Sequence, residues 1–516
     1  MTTLIFGGTT IGAEEFSSRV ANIAGGLDRL GVGDGDVVAL MLRNEPVFVE
    51  AMLAVRLTGA YFCPINRHFK AEEAGHILRD TGAKVLVIHA DLLAQIGGAI
   101  PGGVQVLVVA PLPETRAAFG IGAGPWPVPP NAIGWDGWLG AQQAYDGPAR
   151  RARGNMPYTS GTTGRPKGVR RDPVPAGAAA VMLAAQVELN RIGFGIAPGM
   201  RTLIAAPVYH SAPNLVAMQA ALNDATMVIE PRFDAERTLM QIEAHRLDHL
   251  YLVPTLMVRL LKLPEEARRR YDLSSMRYVS CMGSFCAPEV KARMLDWWGP
   301  VIFEAYAASE LGLITVIAPE EARRKPGSVG RPAETVAGKA TVRILDDEGR
   351  EAPVGSVGTI YCRQPAVPDF TYNNDDAARR SLERDGLWTV GDMGYVDADG
   401  YLFICDRAAD MVISGGVNIY PAEIEQALIG MPEVADCAVF GIPDPEFGEA
   451  VAAAVQLREG HLADAAGVQR FLAERIADYK VPRLVVFHAS LPREETGKIF
   501  KRKLRDPYWK DAGRRI

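Results

Sequence analysis

The 516-residue chain has no long hydrophobic run. Its apolar stretches, such as "AAAVMLAA" just before Gln186, end far short of the roughly 20 residues that a membrane-spanning helix needs. The N-terminus has no basic segment ahead of an apolar one, which excludes a typical secretory signal. We therefore expect no membrane span and a cytoplasmic location.

Cysteine and excess positive charge are also scarce. The six cysteines are scattered, and none forms a CxxC pair or stands at zinc-ligand spacing from a histidine. This distribution favours reduced, structural cysteines over a disulfide framework or a metal site. The formal net charge of -6 argues against a nucleic-acid-binding protein with a broad basic surface. The chain length predicts more than one domain.

Helix and strand patterns alternate along the first part of the chain. Apolar residues recur every three or four positions in 14–31 and 45–60, which predicts helices. The short apolar runs 36–42 and 83–90 predict buried strands. The Pro- and Gly-rich segment 112–157 has little periodicity and predicts an irregular connection. Strands and helices joined by short links indicate mostly parallel sheets.

The pattern changes twice in the second half. Over 340–404, short strands separated by Asp- and Gly-rich turns predict a small antiparallel β unit. From about 407, a helix beginning at Pro421, two strands and a further helix predict a compact α+β domain. The predicted fold class is therefore α/β: a large N-terminal domain with mostly parallel sheets plus the β unit (1–406), and a small α+β C-terminal domain (407–516).

The segment "YTSGTTGRPKGVRR" (158–171) places hydroxyl groups and glycines around one lysine. Glycines let backbone amides approach phosphates closely, and Lys167 adds a positive charge. A Walker-type loop is disfavoured, because Pro166 stands where that motif needs glycine and Gly168 follows the lysine. Proline disfavours helical geometry in the residue before it, so we predict that Lys167 lies on extended chain or in a turn. A solvated turn is the alternative.

The same segment resembles the phosphate-loop signature of the AMP-forming adenylate synthetases, the superfamily of acyl-CoA synthetases, amino-acid adenylation domains and luciferases. Further motifs follow in the family's order over nearly the whole chain. The resemblance implies an ATP-dependent enzyme whose loop binds phosphate groups. The loop residues concerned are Thr159, Ser160, Gly161, Thr162, Thr163 and Lys167.

"EAYAASE" (304–310) resembles the family's adenine and metal motif. The resemblance implies that Tyr306 stacks on adenine and that Ser309 contacts the α-phosphate. It also implies that Glu310 binds Mg²⁺, with Thr159 as a second metal ligand, since a hard cation prefers oxygen ligands. The motif's other nucleotide-binding residues would be Glu304 and Ala305.

"LWTVGDMGYVDADGYLFICDR" (387–407) resembles the ribose motif. Asp392 would accept hydrogen bonds from both ribose hydroxyls, which suits a carboxylate. Arg407 would reach the ribose or the phosphates. "SCMGSFCAPE" (280–289) resembles the segment whose backbone flanks adenine. Its nucleotide-binding candidates are Gly283 and Ser284.

"DRAADMVISGGVNIYPAEIE" (406–425) resembles the hinge and the start of a mobile C-terminal domain. The resemblance implies that Gly415 and Gly416, next to Ser414, line a narrow tunnel for the thiol of CoA. The hinge position that usually carries Asp or Lys is Ala409 here. A hinge needs a backbone that can change its φ and ψ, so rotation is compatible with alanine.

"LPREETGKIFKRKLR" (491–505) resembles the family's C-terminal lysine motif. The resemblance implies that Lys498 is catalytic and stabilises the negative charge that builds on the α-phosphate during adenylation. A solvated basic stretch is the alternative for any one of these cations.

"PVYHSAPN" (207–214) matches the place of an aromatic/His motif beside the acyl pocket, which implies a catalytic or gating role for His210. A structural histidine is the alternative. No acidic anchor for an α-amino group stands in this segment, which disfavours amino-acid activation. The apolar pocket residues implied by the resemblance are Met218, Met282, Phe285 and Leu311.

Together, the motifs imply an AMP-forming acyl-CoA synthetase that uses a small carboxylic acid, ATP, Mg²⁺ and CoA. The acid stays open among medium-chain, branched, cyclic and aryl compounds. One alternative is a stand-alone adenylating enzyme that loads a carrier protein, and another is a non-catalytic nucleotide or acyl binder. A homodimer is a family-level expectation.

Overall fold

The computed structural model describes residues 2–159, 166–284, 286–407, 410–414, 417–493 and 499–510. Near the N-terminus, a fully parallel sheet is built from short apolar runs. In spatial order, its strands are Tyr61–Pro64, Val37–Met41, Val85–His89, Gln105–Val109 and Ala132–Gly134. The second, larger sheet begins with an antiparallel pair, Thr9–Ile11 and Thr3–Phe6, and continues with parallel strands. Those strands are Thr226–Ile229, Arg201–Ile204, His249–Leu252, Tyr278–Cys281 and Ile302–Ala308.

Beyond Ile302–Ala308, the larger sheet becomes antiparallel and forms the β unit. Its strands are Gly312–Ile317, Ser328–Pro332, Leu402–Arg407, Asp392–Val396, Gly358–Arg363, Leu387–Trp388 and Glu383–Arg384, with Thr341–Leu345 on Gly358–Arg363. A separate hairpin pairs Glu334–Thr335 with Gly338–Lys339. Antiparallel strands need only short turns, which matches the turn-rich sequence of this region.

Helices cover the N-terminal sheets. They are Ala13–Arg29, Pro46–Leu57, Ala71–Thr81, Ala90–Ile96, Pro113–Phe119, Trp135–Gly140, Ala179–Phe194, Ser211–Leu222, Ala235–His245, Pro254–Leu261, Glu265–Arg270, Pro288–Trp298, Pro319–Arg324 and Asp376–Ser381. Short 3₁₀ turns cover Gly97–Ala99 and Ala176–Ala178. The two large sheets share one continuous core, in which the buried helix Pro46–Leu57 contributes Phe48 and Met52. A helix buried all round needs no polar face, which explains its apolar sequence.

A small antiparallel sheet connects the phosphate-loop segment to the β unit. Lys167–Arg170 pairs with Tyr158–Thr159 on one side and with Thr371–Tyr372 on the other. Residues just over 200 positions apart in sequence thus meet at one edge of the N-terminal part, since Tyr372 is the register partner of Val169.

The C-terminal part folds around its own sheet. The strand order is Val417–Ile419, Val412–Ser414, Gly448–Leu457 and Val434–Asp444, with Leu484–Phe487 parallel to Gly448–Leu457. Its helices are Pro421–Ile429, Ala465–Ala473 and Lys501–Trp509, with a 3₁₀ turn at Asp478–Lys480. Alternate residues of the long hairpin face opposite sides. One face packs on the first two helices, and the other packs on Leu491 and Leu504.

The structure confirms the predicted fold class and most predicted elements. It corrects segment 112–157, which we expected to be irregular: it contains two helices and the strand Ala132–Gly134, which closes the first sheet. The single-sequence pattern missed them because these elements are short. All six cysteines are free thiols. Among the described residues, no helix combines the length and apolarity needed to cross a bilayer.

Candidate functional site

A cavity of about 3380 Å³ lies between the N-terminal and C-terminal parts. Its N-terminal wall includes Thr159, Tyr306, Glu310 and Asp392. Its C-terminal wall combines cations with the carboxylates of Asp410, Glu425, Asp436 and Asp506. The cations of that wall are Arg458, Arg493, Lys501, Arg502, Lys503, Arg505 and Lys510. A large cavity with charged groups of both signs on its walls suits a charged substrate.

The turn that carries Ser309 and Glu310 is held from below by Arg171. The Arg171 guanidinium donates to the carbonyl oxygens of Ser309 at 2.8 Å and Glu310 at 2.6 Å, and to that of Pro368 at 3.2 Å. Burial lowers the pKa of Arg171 to about 10. Gly312 ends the turn at φ +74°, where a Cβ would approach the Val367 side chain to 2.6 Å. The backbone under Glu310 is therefore fixed by a buried cation and by a glycine that cannot be replaced without strain.

The Glu310 carboxylate is 9% exposed, and two hydroxyls orient it. Thr159 Oγ1 and Tyr372 OH each donate to Glu310 Oε1 at 3.0 Å. Burial raises the pKa of Tyr372, so this phenol stays protonated and remains a donor. The small sheet explains the cluster, because Tyr158–Thr159 and Thr371–Tyr372 flank the same strand.

The oxygen atoms of this cluster fit a magnesium ion. Carboxylate and hydroxyl oxygens are hard ligands, and Mg²⁺ commonly takes one or two protein carboxylates together with substrate phosphates and water. Within the described residues, no group of three or more His, Cys, Asp and Glu side chains could hold a metal. Glu310 and Thr159 thus suit a Mg²⁺ ion held largely by the phosphates of a nucleotide.

A second cluster joins the adenine and ribose motifs. Tyr306 OH donates to Asp392 Oδ2 at 2.6 Å, and Arg407 Nε lies 3.2 Å from Asp392 Oδ1. Asp392 and Arg407 are register partners on antiparallel strands, so the sheet itself places the cation beside the carboxylate. Burial raises the pKa of Tyr306 well above its ordinary value. The arrangement fixes the orientation of the Asp392 side chain, which is 6% exposed on the cavity wall.

The aromatic/His motif meets the adenine motif at two hydroxyls. Ser211 Oγ and Ser309 Oγ are 2.8 Å apart. His210 lines the cavity directly before the helix Ser211–Leu222, and its ring contacts that of Tyr209 with centroids 4.6 Å apart. The structure therefore brings His210 and Ser309 to neighbouring positions, and their roles stay predictions.

Family membership is decided by sequence comparison. The model of AMP-binding enzymes matches residues 1–368, and the model of the AMP-binding enzyme C-terminal domain matches residues 423–498. The chain belongs to the AMP-binding enzyme family.

Relatives and solved structures extend this result over the full length. A feruloyl-CoA synthase from Amycolatopsis sp. is 34% identical to this AMP-binding enzyme over 97% of this chain and 94% of its own. A fatty acid–[acyl-carrier-protein] ligase from Streptomyces coeruleorubidus is 30% identical over 99% of this chain and 94% of its own. The structure of o-succinylbenzoate CoA synthetase from Bacillus subtilis, in complex with its acyl-adenylate intermediate, superposes with a TM-score of 0.77. The two sequences are 25% identical, and the match covers 98% of this chain and 95% of the other.

The remaining nucleotide candidates of this AMP-binding enzyme line the cavity in different ways. Gly283, Ser284 and Ala305 lie on its wall. Glu304 also lies there, but its carboxylate contacts the buried Lys291 amino group. Burial lowers the pKa of that lysine. A buried carboxylate needs such a partner, so Glu304 is engaged within the protein.

Lys167 lies on the strand Lys167–Arg170, which confirms the predicted extended backbone. Its ammonium group forms an ion pair with Asp375 at 3.1 Å and lies 5.5 Å from the centre of the Tyr372 ring. Asp375 in turn caps the helix Asp376–Ser381. Lys167 is not among the residues found on the cavity wall in the described part of the chain. Its predicted phosphate contact stays a prediction.

Several predicted residues lie outside the described residues: Ser160, Gly161, Thr162, Thr163, Phe285, Ala409, Gly415, Gly416 and Lys498. Arg493 and Ile499, which flank the segment with Lys498, both line the cavity and form a β-bridge to each other. Ser414 ends the strand Val412–Ser414 and is not part of the described cavity wall.

The apolar end of the cavity differs in part from the expectation. Met218 and Met282 line it as predicted, whereas Leu311 packs into the core of the β unit. Sequence reasoning also missed Arg171 and Tyr372, which orient Glu310. Arg171 follows the phosphate-loop segment and carried a weak signal, but nothing near Tyr372 marked it as a site residue.

Proposed function

We propose that this AMP-binding enzyme converts an apolar carboxylic acid into its CoA thioester in two steps. In the first, a carboxylate oxygen attacks the α-phosphorus of ATP, and pyrophosphate leaves. In the second, the CoA thiol attacks the carbonyl carbon of the acyl-adenylate, and AMP leaves. The class of the enzyme, an AMP-forming acid–thiol ligase that uses ATP, Mg²⁺ and CoA, follows from its family and its relatives.

The observation that carries the proposal is the pairing of two oriented carboxylates on one cavity wall. Asp392 would bind the ribose hydroxyls, and Tyr306 would stack on the adenine. Both contacts are compatible with the hydrogen bond between Tyr306 and Asp392. Ser309 and His210 would contact the α-phosphate and the acid. Because the positions of these groups are set before substrate binds, their contribution to the transition state costs little reorganisation.

Glu310 and Thr159 would hold Mg²⁺. When bound, the ion neutralises charge on the phosphates and improves pyrophosphate as a leaving group. The residues of this chain supply the orientation: Tyr372 and Thr159 fix one oxygen of Glu310, and Arg171 fixes the backbone that carries it.

Lys498 would stabilise the charge that develops on the α-phosphate in the first step. Support comes from its neighbours in sequence, since Arg493 and Ile499 border the cavity. We assign residues 1–406 to the adenylate-forming domain and residues 407–516 to a mobile C-terminal domain. Rotation about 407–410 would withdraw Lys498 and bring Gly415 and Gly416 to the thiol's path. Two reactions with different geometry then share one cavity.

The acid is proposed to be an apolar monocarboxylate. The end of the cavity between the helices Ala179–Phe194 and Ser211–Leu222 is mostly apolar. Side chains from this end include Val187, Leu215, Met218, Leu222, Met282 and Leu313. The feruloyl-CoA synthase relative makes arylpropenoic acids the first group to test.

The proposal is tested by following AMP, pyrophosphate and free thiol over a panel of aryl, alkyl and cyclic carboxylic acids. We expect AMP release that depends on both the acid and CoA, with loss of one thiol per AMP. Absence of AMP and pyrophosphate with every acid would refute the enzyme assignment.

A second candidate, loading of a carrier protein, is favoured by the Streptomyces coeruleorubidus relative. The two candidates differ in one measurement, the effect of CoA on turnover. If pyrophosphate forms with an acid but CoA neither speeds turnover nor becomes acylated, a carrier protein is the acceptor. A homodimeric state and a cytoplasmic location stay predictions, which light scattering and cell fractionation would measure.

A further inference from the structure

A second, smaller cavity of about 280 Å³ opens on the N-terminal part. It lies beside the carboxyl ends of Arg201–Ile204 and Thr226–Ile229. Four arginines line it, from four separate places in the sequence: Arg43, Arg67, Arg232 and Arg259. This density of guanidinium groups in a small space is not explained by the adenylation site.

The floor of this cavity is rigid. Arg43 is 5% exposed, and its guanidinium is paired with both oxygens of Asp91 at 2.8 and 2.6 Å. Its buried Nε has no hydrogen-bond partner among the described residues. Asn44 donates to the carbonyl oxygens of Ala206 and Glu230 and accepts from the amide of Val208 at 2.9 Å. The floor thus offers a donor on a fixed backbone.

One wall holds two cations on the same aromatic ring. The guanidinium carbons of Arg43 and Arg67 lie 5.0 and 4.6 Å from the centre of the Phe119 ring. Arg67 also shares a hydrogen bond with Tyr209, and burial lowers the pKa of Arg67, with a smaller contribution from the charge of Arg43. Like charges this close repel each other, and the Asp91 carboxylate compensates this repulsion in part.

The rim adds two more cations. Arg232 and Arg259 are exposed, and neither forms an ion pair with a carboxylate in the described part of the chain. The cavity's own carboxylate is Asp234, whose Oδ1 accepts the Arg237 amide at 2.9 Å. Four arginines thus line a cavity whose own carboxylate is Asp234, with Asp91 paired to Arg43 beneath it.

We propose that this cavity binds a multiply charged phosphate anion. Guanidinium groups match phosphate oxygens in pairs, which is why arginine dominates such sites. The volume lies below that of an ordinary drug-sized pocket, about 300–1,000 Å³, so a pyrophosphate unit fits better than a whole nucleotide triphosphate. Two sources carry this chemistry: free pyrophosphate, and the phosphate groups at the nucleotide end of CoA.

Tyr209 connects the cavity to the adenylation site. It lines both cavities, and its ring contacts that of His210. An anion that draws Arg67 toward itself would act on the hydrogen bond between Arg67 and Tyr209. A phosphate group bound in the small cavity is thus placed to affect the acyl end of the main cavity through Tyr209.

The experiment is isothermal titration of the full chain with inorganic pyrophosphate and, separately, with adenosine 3′,5′-bisphosphate. The test variant is Arg232→Gln/Arg259→Gln. The control is Arg246→Gln/Arg269→Gln, which removes the same charge from exposed positions outside both cavities. Thermal unfolding midpoints establish that both variants are folded.

We expect one of the two ligands to show a binding step that is at least tenfold weaker in the test variant and unchanged in the control. Pyrophosphate as that ligand identifies the free anion, and the bisphosphate identifies the CoA nucleotide. If the ligand is pyrophosphate, the initial rate of acyl-CoA synthesis should be unchanged in the test variant. If it is the CoA nucleotide, the KM for CoA should rise at least tenfold while the pyrophosphate-releasing first step is unchanged, which separates this site from the catalytic one. Equal affinity and stoichiometry of both ligands in wild type and test variant would overturn the proposal.

Discussion

The two walls of the main cavity are built on different principles. On the N-terminal wall, Glu310 and Asp392 are nearly buried, and hydrogen bonds from Thr159, Tyr372 and Tyr306 fix them. On the C-terminal wall, exposure varies: the Arg502 side chain is 70% exposed, whereas those of Arg493 and Lys501 are 20% exposed and pair with carboxylates of the same part. The N-terminal wall thus holds its two carboxylates in fixed positions, whereas the proposed movement of the C-terminal part would exchange the groups of the C-terminal wall.

The C-terminal part is nevertheless rigid within itself. Lys501 pairs with Glu425 at 2.8 Å, and both lie in the C-terminal part. Burial raises the pKa of Asp406, whose carboxylate accepts the Ala422 amide at 2.8 Å. The ion pair of Lys501 with Glu425 therefore holds this part together, whereas Asp406, the last residue of the proposed N-terminal domain, joins the two parts at Ala422.

The largest expected effect tests the exchangeable wall. Lys498→Ala should slow adenylation about 10³-fold, because the developing charge on the α-phosphate loses its cation. Thioester formation from a pre-made acyl-adenylate should persist. Pyrophosphate release and acyl-CoA formation measure the two halves separately. Equal loss in both halves would contradict a role confined to one arrangement of the domains.

Glu310→Gln tests the fixed wall. The change keeps the hydrogen bonds to Thr159 and Tyr372 possible but removes the charge, so adenylation should fall about 10²-fold and require more Mg²⁺. Tyr372→Phe is the matched control, since it removes one donor and leaves the carboxylate. Adenylation rates over a magnesium titration measure both. An unchanged magnesium requirement in Glu310→Gln would exclude this residue as a metal ligand.

His249 tests the core beneath the fixed wall. Its Nε2 donates to the Phe194 carbonyl at 2.7 Å, its Nδ1 accepts from the Thr202 hydroxyl at 2.8 Å, and burial lowers the pKa of the ring to about 4. At pH values between the ordinary histidine pKa and about 4, the His249 ring binds a proton in the unfolded chain but stays neutral in the folded chain. Stability should therefore fall as pH drops, by about 2 kcal/mol from pH 7 to 5.

The comparison variant is His249→Gln, which offers one donor and one acceptor but does not titrate. Unfolding midpoints at pH 7 and 5 should converge between wild type and variant as the pH is lowered. Parallel decline of the two proteins would show that other groups cause the acid sensitivity.

The smallest expected effect distinguishes a shared contact from a step-specific one. Asp392→Asn should weaken both halves of the reaction about tenfold, since ATP and acyl-adenylate carry the same ribose. The KM for ATP should rise. Tyr306→Phe removes the hydroxyl that donates to Asp392 but leaves the Asp392 carboxylate in place. It should therefore raise the KM for ATP less than Asp392→Asn does. A loss confined to adenylation would place Asp392 outside the ribose site.

Much of the site was predictable because its chemistry is written in short segments. The motifs around Glu310, Asp392 and Lys167 each lie within about twenty residues, and the structure places Glu310 and Asp392 on the same cavity wall. For Lys167, the sequence predicts the backbone conformation but not the partner of the side chain. Its extended backbone follows from Pro166, but its ion pair with Asp375 links residues far apart in sequence.

The sequence by itself determined the alternation of strands and helices, the change to an antiparallel β unit and the identity of the carboxylates. These depend on local periodicity and on residue type. The tertiary structure alone decided what orients those carboxylates. Tyr372 and Arg171 reach Glu310 across 62 and 139 positions, and the four arginines of the small cavity come from separate elements. Such contacts depend on how sheets pack in space, and no local pattern encodes them.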